Sequence, residues 1–369
     1  MTDHPVDHLV TGIAFFSGDI TRSGGTENVS IMIANELAKD PAYAVSFISL
    51  FEERPEPFFT IDDRIRREAL YPQVTHGIQH YFSTVARLKK AVAKTGAQII
   101  IDIDGILDMY ALPLRRSTGV KVISWEHFNY LQNPGVPYRK LTRRWAARSA
   151  DAIVTLTEAD RRLYQSHLHV RCPIIAIPNP MRMVEPAPVY DVDSTTIISS
   201  GRLTYQKGFD LLVDAAAAVL PKHPGWRWLI LGEGEDRPML ERKIAAAGLA
   251  DRLVLKGRVA GMDAYYRKAA FFVLSSRFEG LPMVLLEAKA HRLPIVSFDC
   301  LTGPAEIVMD QVNGLLVKDG DVPALAGAVE TLIEDSERRK RFSAHTLDDA
   351  DRFDIASIIN QWKTLLAGL

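Results

Sequence analysis

Cysteine is scarce in this chain. Cys172 and Cys300 are the only two in 369 residues. They are too few and too widely separated for a disulfide scaffold or a cysteine-based zinc site, and they fit a reducing compartment. An excess of either charge is missing as well. With 44 basic against 45 acidic side chains and a formal net charge of -1, no global field points to nucleic acid. No run of about 18 apolar residues occurs, so no segment reads as a membrane span. The opening MTDHPVDHLV has no basic region followed by an apolar one and does not read as a signal peptide. Low-complexity segments and short repeats are also lacking. These absences predict a cytosolic chain.

What is present is an ordinary globular composition, 47% hydrophobic and 24% charged. At this length two domains are expected rather than one. Short Ile/Val-rich runs alternate with helical patterns: HLVTGIAFF (8–16), AVSFISL (44–50), AQIIIDID, VKVISWEH and DAIVTLT read as strands. TENVSIMIANELAKD (26–40) and VARLKKAVAKTG read as helices between them. Continuous rather than alternating apolar strands belong to parallel sheets covered on both faces, and the rhythm is that of a doubly wound α/β sheet. IPNPMRMVEPAPVY (177–190) then breaks it with four prolines and reads as a linker. Strand–helix alternation resumes at TTIISSGRL and continues through RLVLKGR, AFFVLSSR, PIVSFD and NGLLV. The expected organisation is a first α/β domain over 1–180, a linker over 181–192, a second over 193–350, and a tail over 351–369 with a final helix.

Three places combine strand ends, glycine and charge. In SGGTE, Gly24 and Gly25 precede the first long helix, with Thr26 placed to cap it; free amides at a helix start attract anions. A tight turn would explain the same glycines. In SGRLTYQKGFDLL, Arg202 leaves the first strand of the second domain and Lys207 stands just before a helix. Ligands of α/β sheets bind at the carboxyl ends of strands, and two cations there can neutralise a diphosphate. In SRFEGLPMVLLEA, Glu279 ends a buried strand, Gly280-Leu281-Pro282 turn the chain, and Glu287 lies about one turn into the next helix. Carboxylates accept hydrogen bonds from vicinal sugar hydroxyls, while amides from Gly280 to Val284 can meet a phosphate between them. The pattern suits a sugar–diphosphate–ribose ligand.

With these pieces assembled, the chain resembles a retaining family 4 glycosyltransferase of the GT-B architecture. GGTE, GRLTYQKGFDLL, LGEGEDRPML, LKGRV, SSRFEGLPMVLLEA with its Glu-x7-Glu pair, and GPAEIV occur in family order over nearly the whole chain. SFDCLTGPAEIV with GGTE is similar to bacterial members that build exopolysaccharide, capsule or lipid-linked oligosaccharide, several of which use UDP-galactose or UDP-N-acetylgalactosamine. The resemblance implies two Rossmann-like domains facing a cleft, with the last helix packed back on the first. It implies that Arg202 and Lys207 bind the donor diphosphate and stabilise the leaving group, that Glu287 binds the ribose, and that Glu279 contacts the donor sugar. Gly25, with Gly24, would close over the diphosphate, and Gly257 to Val259 would lie near the base. His127 in SWEHFNY matches a histidine that approaches the donor sugar, although a core histidine satisfied by its loop would look the same. No metal or other cofactor is implied, since the positive pair takes that role. The implied reaction is transfer of a hexose or N-acetylhexosamine to a glycan acceptor, with retention. A sugar-nucleotide epimerase of the same fold and a non-catalytic nucleotide-sugar binder are the alternatives.

Two features stand outside this pattern. Asp102-Ile-Asp104 resembles a D-x-D metal motif but ends a first-domain strand, and an acceptor-facing strand end is expected instead. PYRKLTRRWAARSAD (137–151) places Arg139, Lys140, Arg143, Arg144 and Arg148 at helical spacing, with Tyr138, Leu141 and Trp145 on another stripe. A helix basic on one side and apolar on the other suits an anionic membrane surface or a polyprenyl diphosphate. A solvated helix face with Trp145 packed inward is the competing expectation.

Overall fold

The computed structural model describes residues 10–75, 77–132, 136 and 138–369. Two units separate within it: Met1–Pro180 together with Ile355–Leu369, and Met181–Asp354.

In the first unit the strands are β1 (Thr11–Ser17), β2 (Tyr43–Ser49), β3 (Arg66–Ala69), β4 (Ile99–Asp102), β5 (Lys121–Trp125), β6 (Ala152–Thr155) and β7 (Ile174–Ala176). All pair in parallel, in the order β3-β2-β1-β4-β5-β6-β7. Beyond the half-buried residue that starts β1 and β5, the residues of β1, β4, β5 and β6 are buried, as their Ile/Val content requires of strands covered on both faces. β3 differs: Arg-Arg-Glu-Ala is largely exposed at the sheet edge and carries no apolar run to mark it as a strand. The final helix, Ile355–Ala367, belongs to this unit. Its Trp362 is fully buried against Trp125, ring centroids 4.9 Å apart and nearly edge-on, and Lys363 Nζ lies 2.5 Å from Asp40.

The second unit repeats the plan with six parallel strands: β8 (Thr196–Ser200), β9 (Arg227–Leu231), β10 (Leu253–Gly257), β11 (Phe271–Leu274), β12 (Ile295–Asp299) and β13 (Gly314–Lys318). Their order is β10-β9-β8-β11-β12-β13. In both sheets the order turns back beside the first strand, which opens a crevice at the strand carboxyl ends. The core joins Trp228, Phe271 and Leu212 with Val329 and Leu332 from the helix Val322–Glu334. The buried Trp228 indole donates to Ser199 Oγ at 3.1 Å, so its polar edge is satisfied inside that core. The expectation of two doubly wound parallel-sheet units is met. Among the described residues no helix is long and apolar enough to cross a membrane.

Candidate active site

In the second unit, the residues named from the sequence gather at the carboxyl end of the sheet. β8 ends at Ser200, and Gly201 follows with φ 153°, a conformation open to glycine. A β-carbon there would press on the Lys207 side chain, 3.2–3.3 Å away, so Lys207 lies across the strand end. Gly208, at φ 62°, brings the start of the helix Phe209–Val219 so close to β11 that a β-carbon would meet the Ser275 carbonyl oxygen at 2.1 Å. This approach joins the two motifs. Lys207 Nζ lies 2.6 Å from Glu279 Oε1, and Gln206 Nε2 donates to the Phe278 carbonyl at 3.1 Å. Arg202, two residues past the end of β8, is exposed, and no ion pair engages it among the described residues.

Glu279 is 6% exposed. The turn that follows it is clamped from β12: Thr302 Oγ1 donates to the Glu279 carbonyl at 2.6 Å. Gly303, at φ 100°, approaches Gly280 so closely that a β-carbon would lie 2.8 Å from its carbonyl oxygen. Pro282 occupies the cap position of the helix Met283–Ala290 and makes no side-chain cap hydrogen bond; Leu281 is buried while Gly280 and Val284 are half-buried. The amides that begin that helix are its anion-seeking end.

Glu287 sits on this helix, half-buried, and burial raises its carboxyl pKa. Opposing that rise are the Tyr266 hydroxyl, which donates to Oε2 at 2.8 Å, and the nearby charges of His291 and Lys207. Tyr266 is buried, lies 3.1 Å from Ser200 Oγ and stacks on His291 at 4.7 Å. His291 in turn lies 2.7 Å from Asp263 and from the Glu287 carbonyl. Tyr266, His291 and Thr302 therefore hold the two glutamates, and sequence patterning did not single them out. A tyrosine on a short helix carries no signal of its own. Gly257, at φ 75°, ends β10, and Val259 follows it, half-buried.

In the first unit, Gly24 occupies the cap position of the helix Gly25–Leu37. Thr26 is not the cap; it lies inside the first turn, because the glycine pair starts the helix one residue earlier. His127 follows β5, is 8% exposed, and packs its ring at a tilt against Trp125, centroids 4.4 Å apart. Burial lowers its pKa to about 4, and its Nε2 has no hydrogen-bond partner among the described residues.

The basic helix departs from expectation. Arg139–Ser149 turns Arg139 and Arg143 inward, each 2% exposed. Arg139 reaches Asp104 at 2.5 Å and Glu126 at 3.0 Å. Arg143 pairs with Glu126 and donates to the carbonyls of Tyr130 (2.6 Å), Gln132 (3.0 Å) and Asn129 (3.2 Å). Tyr164 adds its hydroxyl to Glu126 at 2.7 Å. These two arginines cannot belong to a basic outer face: the half-buried Asp104, which follows β4, and the buried Glu126, which follows β5, have drawn them in. Leu141 and Trp145 are 63% and 37% exposed, so the competing expectation of Trp145 packed inward is not met. The D-x-D pair is also corrected. Asp102 is fully buried next to Asp108, burial raises both carboxyls, and only Asp104 retains an exposed edge, so the pair does not present an acceptor-facing surface. Among the described residues, His223, Glu330 and Glu334 lie close enough to share an ion, but Lys222 Nζ already pairs with Glu330 at 2.9 Å.

Comparison with known proteins gives the chain a family. Residues 186–347 match the family model Glycosyl transferases group 1, and residues 23–182 match Glycosyltransferase Family 4. An uncharacterized glycosyltransferase of Haemophilus influenzae is 32% identical over 354 residues, 96% of this chain and 99% of the relative. A Campylobacter jejuni α-1,4-N-acetyl-D-galactosaminyltransferase acting on a diNAcBac-PP-undecaprenol-linked GalNAc disaccharide is 26% identical, across 94% of this chain and 95% of the relative. Anabaena HepE in complex with UDP-glucose superposes with a TM-score of 0.78 at 18% identity, over 97% of this chain and all (100%) of that one. The chain belongs to glycosyltransferase family 4 and has the GT-B fold.

Proposed function

We propose that this glycosyltransferase moves a hexose or N-acetylhexosamine, with retention, from a UDP-sugar to a glycan acceptor carried on a lipid diphosphate, in bacterial polysaccharide or glycoconjugate synthesis. One observation carries the donor half: the Lys207–Glu279 contact of 2.6 Å at the sheet end, with the exposed Arg202 leaving the same strand β8 and Glu287 held by Tyr266. Two cations and two carboxylates at a strand-end crevice match a ligand with two sugars on either side of a diphosphate. Arg202 and Lys207 supply positive charge where the departing phosphate gains negative charge, and they do so without a metal. Glu287 takes the ribose hydroxyls and Glu279 the donor sugar. In the proposed step the acceptor oxygen attacks the anomeric carbon from the face the diphosphate leaves. The C–O bond to the phosphate breaks with its electron pair going to the phosphate oxygen, which takes the acceptor proton.

UDP and the lipid-linked acceptor are supported by the relatives: HepE is in complex with UDP-glucose, and the Campylobacter enzyme acts on an undecaprenol-linked substrate. The test is calorimetric titration of UDP, GDP and ADP in chelator against the wild type and Arg202→Ala. UDP binding that is lost in the variant is the expected result. Binding that requires a divalent ion, or is indifferent to Arg202, would displace the diphosphate from this site.

A further inference from the structure

The last helix, Ile355–Ala367, follows the whole second unit in the chain, yet it packs in the first unit beside His127. Trp362 is fully buried there and sets its ring nearly edge-on to Trp125, with centroids 4.9 Å apart and planes at 71°. Trp125 ends β5, and its other aromatic neighbour is the imidazole of His127, 4.4 Å away. Three rings therefore stand in series, Trp362 to Trp125 to His127. Lys363 fixes the helix next to them through Asp40 at 2.5 Å. The same helix also packs on Gly25–Leu37, the helix that begins at the glycine pair.

This series bears on what His127 can do. Its Nε2 has no hydrogen-bond partner among the described residues, so ring packing rather than a hydrogen bond at that nitrogen orients the imidazole. Two charges face it. Glu126 favours the protonated ring, Arg139 opposes it, and the two pair with each other at 3.0 Å. Burial is the larger influence, and it favours the neutral ring. Trp125 supplies part of that burial by direct contact, and Trp362 is the ring that holds Trp125.

We infer that Trp362 is a positioning residue for glycosyl transfer: through Trp125 it holds the His127 imidazole in place and dry, so that a neutral ring is offered to a sugar hydroxyl. A neutral imidazole donates from one nitrogen and accepts at the other, which matches a hydroxyl, whereas a charged one only donates. His127 stands at the carboxyl end of β5, the side of a parallel sheet on which ligands bind. The inference rests on the donor reading above for the identity of the hydroxyl. What it adds is a residue that touches no substrate and arrives only with the final helix.

The experiment is NMR titration of the His127 ring in the full chain, its signal assigned by its loss in His127→Gln. Calorimetric UDP binding and turnover of UDP-glucose, UDP-galactose and their N-acetyl counterparts are measured beside it. In Trp362→Leu the midpoint is expected to rise by at least about one unit toward the ordinary value of about 6.5. The kcat for the fastest donor should fall by about tenfold or more, with UDP binding unchanged. Trp362→Phe keeps a ring on Trp125 and should restore both readouts to near wild type. Leu366→Ala, also buried in the final helix, removes apolar contact but no ring; it should lower the melting temperature without moving the titration. Trp125→Phe carries the test from the other end of the contact should Trp362→Leu not fold, with a smaller rise expected. If the wild type binds no UDP and turns over none of the four donors, the donor reading falls and the titration alone decides this one. The same His127 midpoint in wild type and Trp362→Leu would overturn the inference. An equal rise in Leu366→Ala would overturn it too, by reducing Trp362 to helix docking. So would a raised midpoint with an unchanged kcat, which would separate His127 from the transfer step.

Discussion

Lys207 Nζ and Glu279 Oε1 are 2.6 Å apart, with the lysine side chain 16% and the glutamate 6% exposed. Seventy-two residues separate them in the chain, and the close approach at Gly208 brings them together. In a site this dry, a charge pair holds each partner in one geometry and costs more to break than to keep. Lys207→Met should therefore lower the rate of donor turnover by about 10²–10³-fold, the usual consequence of removing a donor aimed at developing negative charge. It should also remove the cation that faces the buried Glu279 carboxylate, so the melting temperature should fall. The double variant Lys207→Met/Glu279→Gln should recover stability but not rate. If the rate stays within about threefold of wild type in the single variant, Lys207 is not on the departing phosphate.

Tyr266 is predicted to act through Glu287. Its hydroxyl donates to Oε2 and favours the ionised carboxylate against the burial that raises its pKa. Tyr266→Phe removes that donor without opening a cavity. A lost hydrogen bond to a charged group is worth about 1.5–3 kcal/mol, enough to weaken UDP by about tenfold or more. The contrast is with 2′,3′-dideoxy-UDP, which has no hydroxyls for Glu287 and should bind wild type and variant alike. Calorimetry on the four combinations decides the matter. Equal loss for both nucleotides would mean that Tyr266 only supports packing against His291.

The glutamates and cations of the second unit were legible because each stands where an apolar strand run gives way to glycine and a helix. That position has one meaning in a parallel sheet. The two faces of the helix Arg139–Ser149 were not legible, because helical spacing says which residues share a face but not which face is buried. Asp104 and Glu126 decided it, and they lie 35 and 13 residues away from Arg139. β3 was missed because Arg66 to Ala69 have no apolar pattern; register with β2 alone makes them a strand. Tyr266 and Thr302 became site residues only when the sheet set them beside Glu287 and Glu279.

Arg143 anchors the loop that follows His127. Its guanidinium pairs with Glu126 and meets the carbonyls of Asn129, Tyr130 and Gln132. Arg143→Met would leave Glu126 with a weakened partner set and three carbonyls short of a donor. Destabilisation of about 3–5 kcal/mol is expected in urea unfolding. Arg148→Ala, on the exposed face of the same helix, should stay within about 0.5 kcal/mol. Similar values for the two would contradict the assignment of Arg143 to the interior.

His127 gives the acid side of the stability profile a definite sign. Burial holds its imidazole to a pKa of about 4 in the folded chain, against about 6.5 when unfolded. Between those values the unfolded state binds the extra proton, so this residue makes stability fall as pH drops from about 6.5 to about 4 and adds no further slope below that. The difference of roughly 2.5 units corresponds to about 3 kcal/mol. The buried carboxyls of Asp102 and Asp108, raised by burial, act in the opposite sense, losing stability as pH rises. A subtraction is therefore needed. Urea unfolding of wild type and His127→Phe at pH 7, 5.5 and 4.5 isolates the histidine, because the carboxyl contributions are common to both. The wild type should lose ground to the variant by about 1–3 kcal/mol between pH 7 and 4.5. Parallel profiles would mean that the imidazole takes up its proton at the same pH in the folded and the unfolded chain.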